Sequence, residues 1–95
     1  MVHNALLFLR KVPKGRVVSY GELARACNNS PRAIGMIMKG NKDPVRYPCY
    51  KVIRSDGSVG GYIKGIDKKI KLLRDDGINI KNERIDDRYF YRFSV

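Results

Sequence analysis

Over the first eleven positions the apolar residues Val2, Ala5, Leu6 and Leu9 recur at helical spacing, and Leu7 and Phe8 widen the stripe. The pattern predicts a core-packing helix from Val2 to Lys11 that ends near Pro13 and Gly15. His3 has no acid or nucleophile beside it, so it reads as a surface or capping residue rather than a catalyst. Val17-Val18 is β-branched but too short for more than an extended connection. Ser19-Tyr20-Gly21-Glu22 then has the form of a capping box, in which serine and glutamate satisfy each other's free backbone donors. A helix is predicted from there to about Cys27, with Leu23, Ala24 and Cys27 on its apolar face. Asn28-Asn29 turns the chain, and Ser30-Pro31 supplies the cap and first-turn proline of a second helix running to about Lys39, stopped by Gly40-Asn41. Helix, short turn, helix, with basic residues around the second, is a helix-turn-helix arrangement, although plain helix pairs of this length pack in the same way. On the second helix Ala33 and Gly35 permit close approach of a partner, while Met36, Ile37 and Met38 are expected to anchor it in the core.

Residues 41–47 read as a loop carrying Lys42, Pro44 and Arg46. Val52-Ile53 and Val59 flank the turn residues Ser55-Asp56-Gly57 and predict a hairpin. From Gly65 a basic helix places Ile66, Ile70 and Leu73 on one face, broadened by Leu72, with Lys68, Lys69 and Lys71 around the others, and closes at Asp75-Asp76-Gly77. The tail, 78–95, mixes charges with Tyr89, Phe90, Tyr91 and Phe93, whose aromatic rings are expected to pack it onto the rest; a partner-binding role is the other reading. No repeat or low-complexity linker interrupts this order. The fold class expected is mainly α with a small β element, one domain over 1–95 built on a helix-turn-helix.

Charge narrows the function. The 95 residues carry 20 Lys+Arg against 9 Asp+Glu, a formal net charge of +11, which points to a polyanionic partner: nucleic acid first, an anionic membrane second. No apolar run approaches the roughly 20 residues of a spanning helix, and the start lacks the basic end and cleavage site of a signal peptide. An intracellular protein, cytoplasmic or associated with nucleoid or nucleus, is expected, with no membrane partner. Two cysteines and one histidine show no metal-ligand spacing, so neither zinc nor another cofactor is expected, and both thiols should be reduced.

Cys49 concentrates the remaining chemistry. It sits in Tyr47-Pro48-Cys49-Tyr50-Lys51-Val52, where the proline fixes its own φ and biases Tyr47 toward extended backbone. Downstream, Gly60-Gly61-Tyr62 allows a close backbone approach that side chains would forbid. Free cysteine is commonly a small buried hydrophobe. Against that, Lys51 and Arg54 form a basic setting expected to lower the thiol pKa from about 8.5 by one or two units and to favour a nucleophile. Cys27 has no activating neighbour and is read as core.

Pro-Cys-Tyr-Lys-Val, followed by Ser-Asp-Gly-Ser-Val-Gly-Gly-Tyr, resembles the active-site segment of the O6-alkylguanine-DNA alkyltransferases, usually Pro-Cys-His-Arg-Val. The resemblance runs from about Val17 to Gly77. It implies the winged-helix-like C-terminal domain of that family, without its larger amino-terminal domain, and duplex DNA containing O6-alkylguanine as partner of a monomer. By this likeness Cys49 is the alkyl acceptor and Tyr20 the phenol that donates to the leaving base. Asn41 corresponds to the asparagine that stabilises the active-site turn, a position where a helix C-cap would serve equally. Arg32 corresponds to the arginine that fills the gap left by a flipped nucleotide; helix position alone would equally allow a phosphate contact. Ala33, Gly35, Lys39 and Lys51 join it as the expected DNA-contacting set. Tyr62, Val52, Ile63 and Gly61 are the expected base pocket, with Ile63 standing where the family often has a serine.

Tyr50 and Asp76 occupy the family's proton-relay positions, where histidine and glutamate are usual. A phenol of pKa about 10 is a poor base at neutral pH. Single-turnover transfer of the alkyl group to Cys49 is therefore weighed against a non-catalytic alkyltransferase-like sensor, which holds the damaged base and recruits excision repair. A plain helix-turn-helix transcription factor would leave Pro48-Cys49 and Gly60-Gly61-Tyr62 unexplained.

Overall fold

A computed structural model describes residues 3–94. It is mainly helical with two small sheets. The first helix, α1 (Asn4–Leu9), is shorter than its apolar stripe, and Val2 lies outside the described residues. His3 caps it, Nδ1 accepting from the Ala5 amide at 3.0 Å, as the sequence led us to expect.

Val18–Ser19 form a strand, β1, directly before α2 (Tyr20–Ala26). The expectation of a mere connection was wrong because its partner is remote: β1 pairs in parallel with β2 (Val52–Ile53), Val18 opposite Val52 and Ser19 opposite Ile53. Parallel pairing needs a long crossover, and α2 with α3 (Pro31–Lys39) provides it. The hairpin expected between Val52-Ile53 and Val59 is accordingly not formed. The Ser55-Asp56-Gly57 turn is real, with Gly57 N–H donating to the Arg54 carbonyl at 3.0 Å and Arg54 N–H to the Ser58 carbonyl at 3.0 Å. Its far side is bound by the tail instead.

Because side chains alternate across a strand, β1 and β2 partition the interior. Val18 and Val52 face a core shared with Ala5, Leu9, Leu23, Ala24, Ile34, Met38 and Cys49. Val17 and Ile53 face a second, with Val59, Leu73, Ile78, Ile80 and Ile85. On α3 the anchors are Ile34 and Met38, while Met36, expected inside, is 69% exposed. The i,i+4 pair on one helix face wins over the contiguous apolar run. Cys27 lies half-buried at the edge of the first core rather than within it.

The last helix, α4 (Ile66–Asp75), buries Leu73 as expected but leaves Ile66 39% exposed and buries Lys69 completely. Position 69 shares a face with 66, 70 and 73, so its burial follows from helix geometry and not from residue type.

The tail is an integral layer. A two-residue turn at Asn82 and Glu83, both at positive φ (52° and 58°), joins β3 (Ile80–Lys81) to antiparallel β4 (Arg84–Ile85), the usual primed-turn hairpin geometry. Gly57 at φ 91° receives this hairpin, its carbonyl accepting from Ile85 N–H at 2.8 Å; a Cβ there would lie 2.7 Å from the Ile85 carbonyl oxygen. Further on, Val17 N–H donates to the Tyr89 carbonyl at 2.8 Å and Tyr91 N–H to the Val17 carbonyl at 2.7 Å. Phe93 then enters the first core, edge-on to Phe8 and Tyr91 with centroids 5.0 and 5.3 Å apart. Half of the expected capping box forms: Ser19 Oγ accepts from Glu22 N–H at 3.0 Å. The Glu22 carboxylate instead accepts from Phe93 N–H at 2.8 Å and pairs with Arg25 at 2.7 Å, while Arg25 donates to the Phe93 carbonyl at 2.8 Å. This pins the strap to α2.

Truncating a buried phenylalanine costs about 3–5 kcal/mol. Phe93→Ala should therefore lower unfolding stability by roughly 3 kcal/mol in a urea titration; a change under about 0.5 kcal/mol would mean that the tail is peripheral.

Candidate active site

Cys49 opens a single 3-10 turn, Cys49–Lys51, immediately after Pro48. Its N–H donates to the Tyr47 carbonyl at 2.8 Å, and Lys51 N–H to the Pro48 carbonyl at 3.1 Å. Asn41, buried at the end of α3, staples this turn from behind: Nδ2 donates to the Tyr47 carbonyl at 2.7 Å and Oδ1 accepts from Asp43 N–H at 3.1 Å. Its amide is thus shared between the helix exit and the cysteine turn.

Cys49 lines a cavity of about 440 Å³ together with Tyr20, Gly35, Met38, Lys39, Arg54, Gly61, Tyr62 and Ile63. Tyr20 is there because β1 ends one residue before it, and Cys49 because β2 begins three residues after it; the strand pairing brings the two together. Gly35 and Lys39 are one helical turn apart on α3 and open the cavity along that helix. Arg32 is exposed at the start of α3 beside half-buried Ala33, away from the cavity lining.

Two expected members sit elsewhere. Lys51 is buried, its Nζ donating to the carbonyls of Val12 at 2.9 Å and Pro13 at 3.3 Å, where it satisfies the end of the segment after α1 and lies outside the Cys49 cavity. Val52 is not part of the cavity wall; its side chain belongs to the first core. Strand alternation fixes that side chain inward.

Tyr50 O–H donates to Asp76 Oδ2 at 2.5 Å, so the two relay positions do meet. They line a different cavity, of about 610 Å³, with Lys14, Val45, Lys64, Lys68 and Leu72, which shares Tyr62 but not Cys49 with the first. Burial, then the bond to Asp76, push the Tyr50 phenol well above its ordinary range. It is fixed as a donor.

The thiol also departs from expectation. Burial pushes Cys49 above its usual pKa, outweighing the Asn41 hydrogen bond, its own backbone N–H, and the charges of Lys69 and Lys64. Neither Lys51 nor Arg54 supplies that cationic influence. Tyr20 is likewise raised by burial, partly opposed by Arg54, and keeps its proton at neutral pH.

Lys69 is the residue that sequence reasoning passed over. It is 0% exposed, and its Nζ donates to the Val52 carbonyl at 2.6 Å and the Gly61 carbonyl at 3.1 Å. The signal lay in its shared helix face with Ile66, Ile70 and Leu73. Among the described residues no group of three or more His, Cys, Asp or Glu could hold a metal ion, and no helix is long and apolar enough to cross a membrane.

A helix-turn-helix domain that places a buried cysteine and two tyrosines on one cavity, opening along its second helix, defines a class of DNA-binding protein. The sequence profile of the 6-O-methylguanine DNA methyltransferase DNA-binding domain matches residues 2–78, and the chain belongs to this family. A bifunctional methyltransferase/endonuclease of Picrophilus torridus is 51% identical over 88 residues, covering 90% of this chain and 29% of its own length. The crystal structure of the O6-methylguanine-DNA methyltransferase of Pyrococcus kodakaraensis KOD1 superposes with a TM-score of 0.74 at 43% identity, covering 79% of this chain and 44% of that one. The chain thus spans less than half the length of either. Schizosaccharomyces pombe Atl1, solved in complex with damaged DNA containing O6-carboxymethylguanine, has the same fold, with a TM-score of 0.83 at 21% identity over 94% of this chain and 92% of its own.

A raised thiol pKa means less thiolate at neutral pH than in a free cysteine. In a Cys27→Ser background, the alkylation rate of Cys49 by iodoacetamide should keep climbing beyond about pH 9. A plateau reached by about pH 7 would contradict the burial argument. The sign for stability follows: the unfolded thiol ionises first, so the contribution of the buried, neutral thiol is intact below its unfolded pKa and is lost as pH rises through the folded one.

Proposed function

We propose that this domain rotates O6-alkylguanine out of duplex DNA and accepts the alkyl group irreversibly on Cys49, in a single turnover. The observation that carries the reading is the cavity that Cys49 lines with Tyr20 and Tyr62 beside α3. A base inside a duplex cannot reach a buried sulfur, so the nucleotide must leave the stack at a cost of a few kcal/mol. Exposed Arg32 at the start of α3 would fill the vacated space, Ala33 and Gly35 would let the helix backbone approach the groove closely, and Lys39 would contact the phosphates. The net charge of +11 supplies the sequence-independent part of the affinity.

Within the cavity, Tyr62 with Gly61 and Ile63 would hold the base. The Cys49 thiol first gives its proton to water. Its sulfur lone pair then attacks the alkyl carbon, the C–S bond forms as the C–O6 bond breaks, and the electron pair passes into the guanine ring. Tyr20, kept protonated by burial, donates to the ring as that charge develops. Asn41 holds the Tyr47-to-Cys49 turn in place throughout.

One observation favours a second reading, that of a sensor which binds the lesion without removing the alkyl group: Tyr50 and Asp76 bond to each other in a separate cavity, so neither presents a base to the sulfur. Cys49 itself favours transfer.

Mixing the protein with a duplex containing O6-methylguanine and measuring intact mass separates the two. Transfer adds one methyl to Cys49, once per protein, and Cys49→Ser binds the duplex but gains nothing. Tight, lesion-selective binding with no mass change would establish the sensor. Arg32→Ala should diminish the fluorescence of a base analogue reporting extrusion far more than it weakens overall duplex affinity; an unchanged signal would remove the finger role.

A further inference from the structure

Lys69 is costly to bury. A completely enclosed ammonium loses its hydration, and no carboxylate pairs with it among the described residues. Two of its three N–H donors are taken by the carbonyls of Val52 and Gly61, and the third has no partner among the described residues. Both carbonyls border the reactive thiol: Val52 is three residues beyond Cys49 on the same turn and strand, and Gly61 lines the same cavity as Cys49. The ammonium therefore sits behind the wall of that cavity, in a poorly screened interior, where one charge acts strongly on another.

We propose that Lys69, reaching in from α4, is the positioning residue whose charge stabilises the Cys49 thiolate, a task that the Tyr50–Asp76 pair does not perform in this chain. The inference rests on Cys49 being the alkyl acceptor. At neutral pH, where Lys69 is still mostly protonated, ionisation releases the thiol proton to water and leaves the negative sulfur with the ammonium behind the cavity wall. The sulfur then attacks carbon as described above, and once the thioether forms the sulfur is neutral and the attraction ends.

The electrostatics run both ways, as they must. Lys69 draws the Cys49 pKa down, and Cys49 draws the Lys69 pKa up against burial and, less strongly, the Arg54 charge, which lower it to about 8. Other groups face the sulfur from each neighbouring element. Tyr20 on α2 and Tyr62 before α4 are neutral phenols, Asn41 after α3 is an uncharged donor, and Lys39, Arg54 and Lys64 are exposed cations that water screens. Lys69 is the enclosed one. Burial still leaves the thiol net raised, so removing Lys69 raises it further.

The test reads the thiol without DNA, so it can fail while methyl transfer succeeds, and the reverse. In Cys27→Ser and Cys27→Ser/Lys69→Met proteins, the iodoacetamide rate of Cys49 is followed against pH. Loss of the charge should slow the reaction roughly tenfold near pH 7, where Lys69 is protonated, with the difference closing above about pH 8 as Lys69 loses its proton and the high-pH plateau unchanged. A purely structural pin would lower the rate by the same factor at every pH; that result overturns the proposal. Should Lys69→Met not fold, the titration of the Lys69 Nζ by NMR decides, in the native chain and in Cys49→Ser. The Lys69 pKa should fall when the sulfur is replaced, and an identical value in the two proteins would equally overturn it.

Discussion

The parallel pairing of Val18-Ser19 with Val52-Ile53 is the constraint on which the rest of the molecule depends. Two residues per strand contribute few hydrogen bonds, but their position does more than their number. The pairing forces α2 and α3 into the crossover, divides the interior into two cores by simple strand alternation, and sets Tyr20 and Cys49 on one cavity from opposite ends of that crossover. Without it the helix-turn-helix and the cysteine turn would be separate pieces. One residue before β1, Val17 is bound by the tail through the Tyr89 carbonyl and the Tyr91 N–H, which continues the backbone pairing there.

A tension runs through the site. A nucleophilic sulfur needs negative charge, whereas a cavity able to enclose a base excludes water and disfavours that charge. Burial dominates at Cys49. The fold tempers it with local, directional groups: the Asn41 amide, the backbone N–H of the turn, and the enclosed Lys69. Each is held by a second bond elsewhere. Asn41 grips the Tyr47 carbonyl and the Asp43 amide, and Lys69 grips the carbonyls of Val52 and Gly61. The charge that conditions the sulfur is therefore also a tie between α4 and the loop on which Tyr62 is mounted.

Beyond residue 78, where the match to the family profile ends, the tail supplies material to both cores: Ile80 and Ile85 to one, Phe93 to the other. Its attachment is unusually polar for a core-building segment, with Glu22 and Arg25 binding the Phe93 backbone from both sides. In a domain of this size the single-core margin is thin, and Ile80, Ile85 and Phe93 are a substantial share of the apolar burial.

Local signals in the sequence determined the helix starts. Ser19, Ser30 with Pro31, and His3 each act within one turn of their own position, and each caps its helix. The Cys49 segment and the fold family were likewise legible, since Pro48-Cys49 and Gly60-Gly61-Tyr62 lie close together in the sequence. What residue type alone could not settle was direction. Lys51 and Lys69 read as surface cations, yet strand and helix geometry turn both inward onto backbone carbonyls; Val52 read as pocket, yet alternation turns it into the core; Met36 read as anchor, yet helical spacing points it to solvent. The parallel β1–β2 pair was invisible for the same reason that it matters: each strand is two residues long, its partner lies across two helices, and no local propensity encodes a partner that only the packed crossover brings within hydrogen-bonding reach.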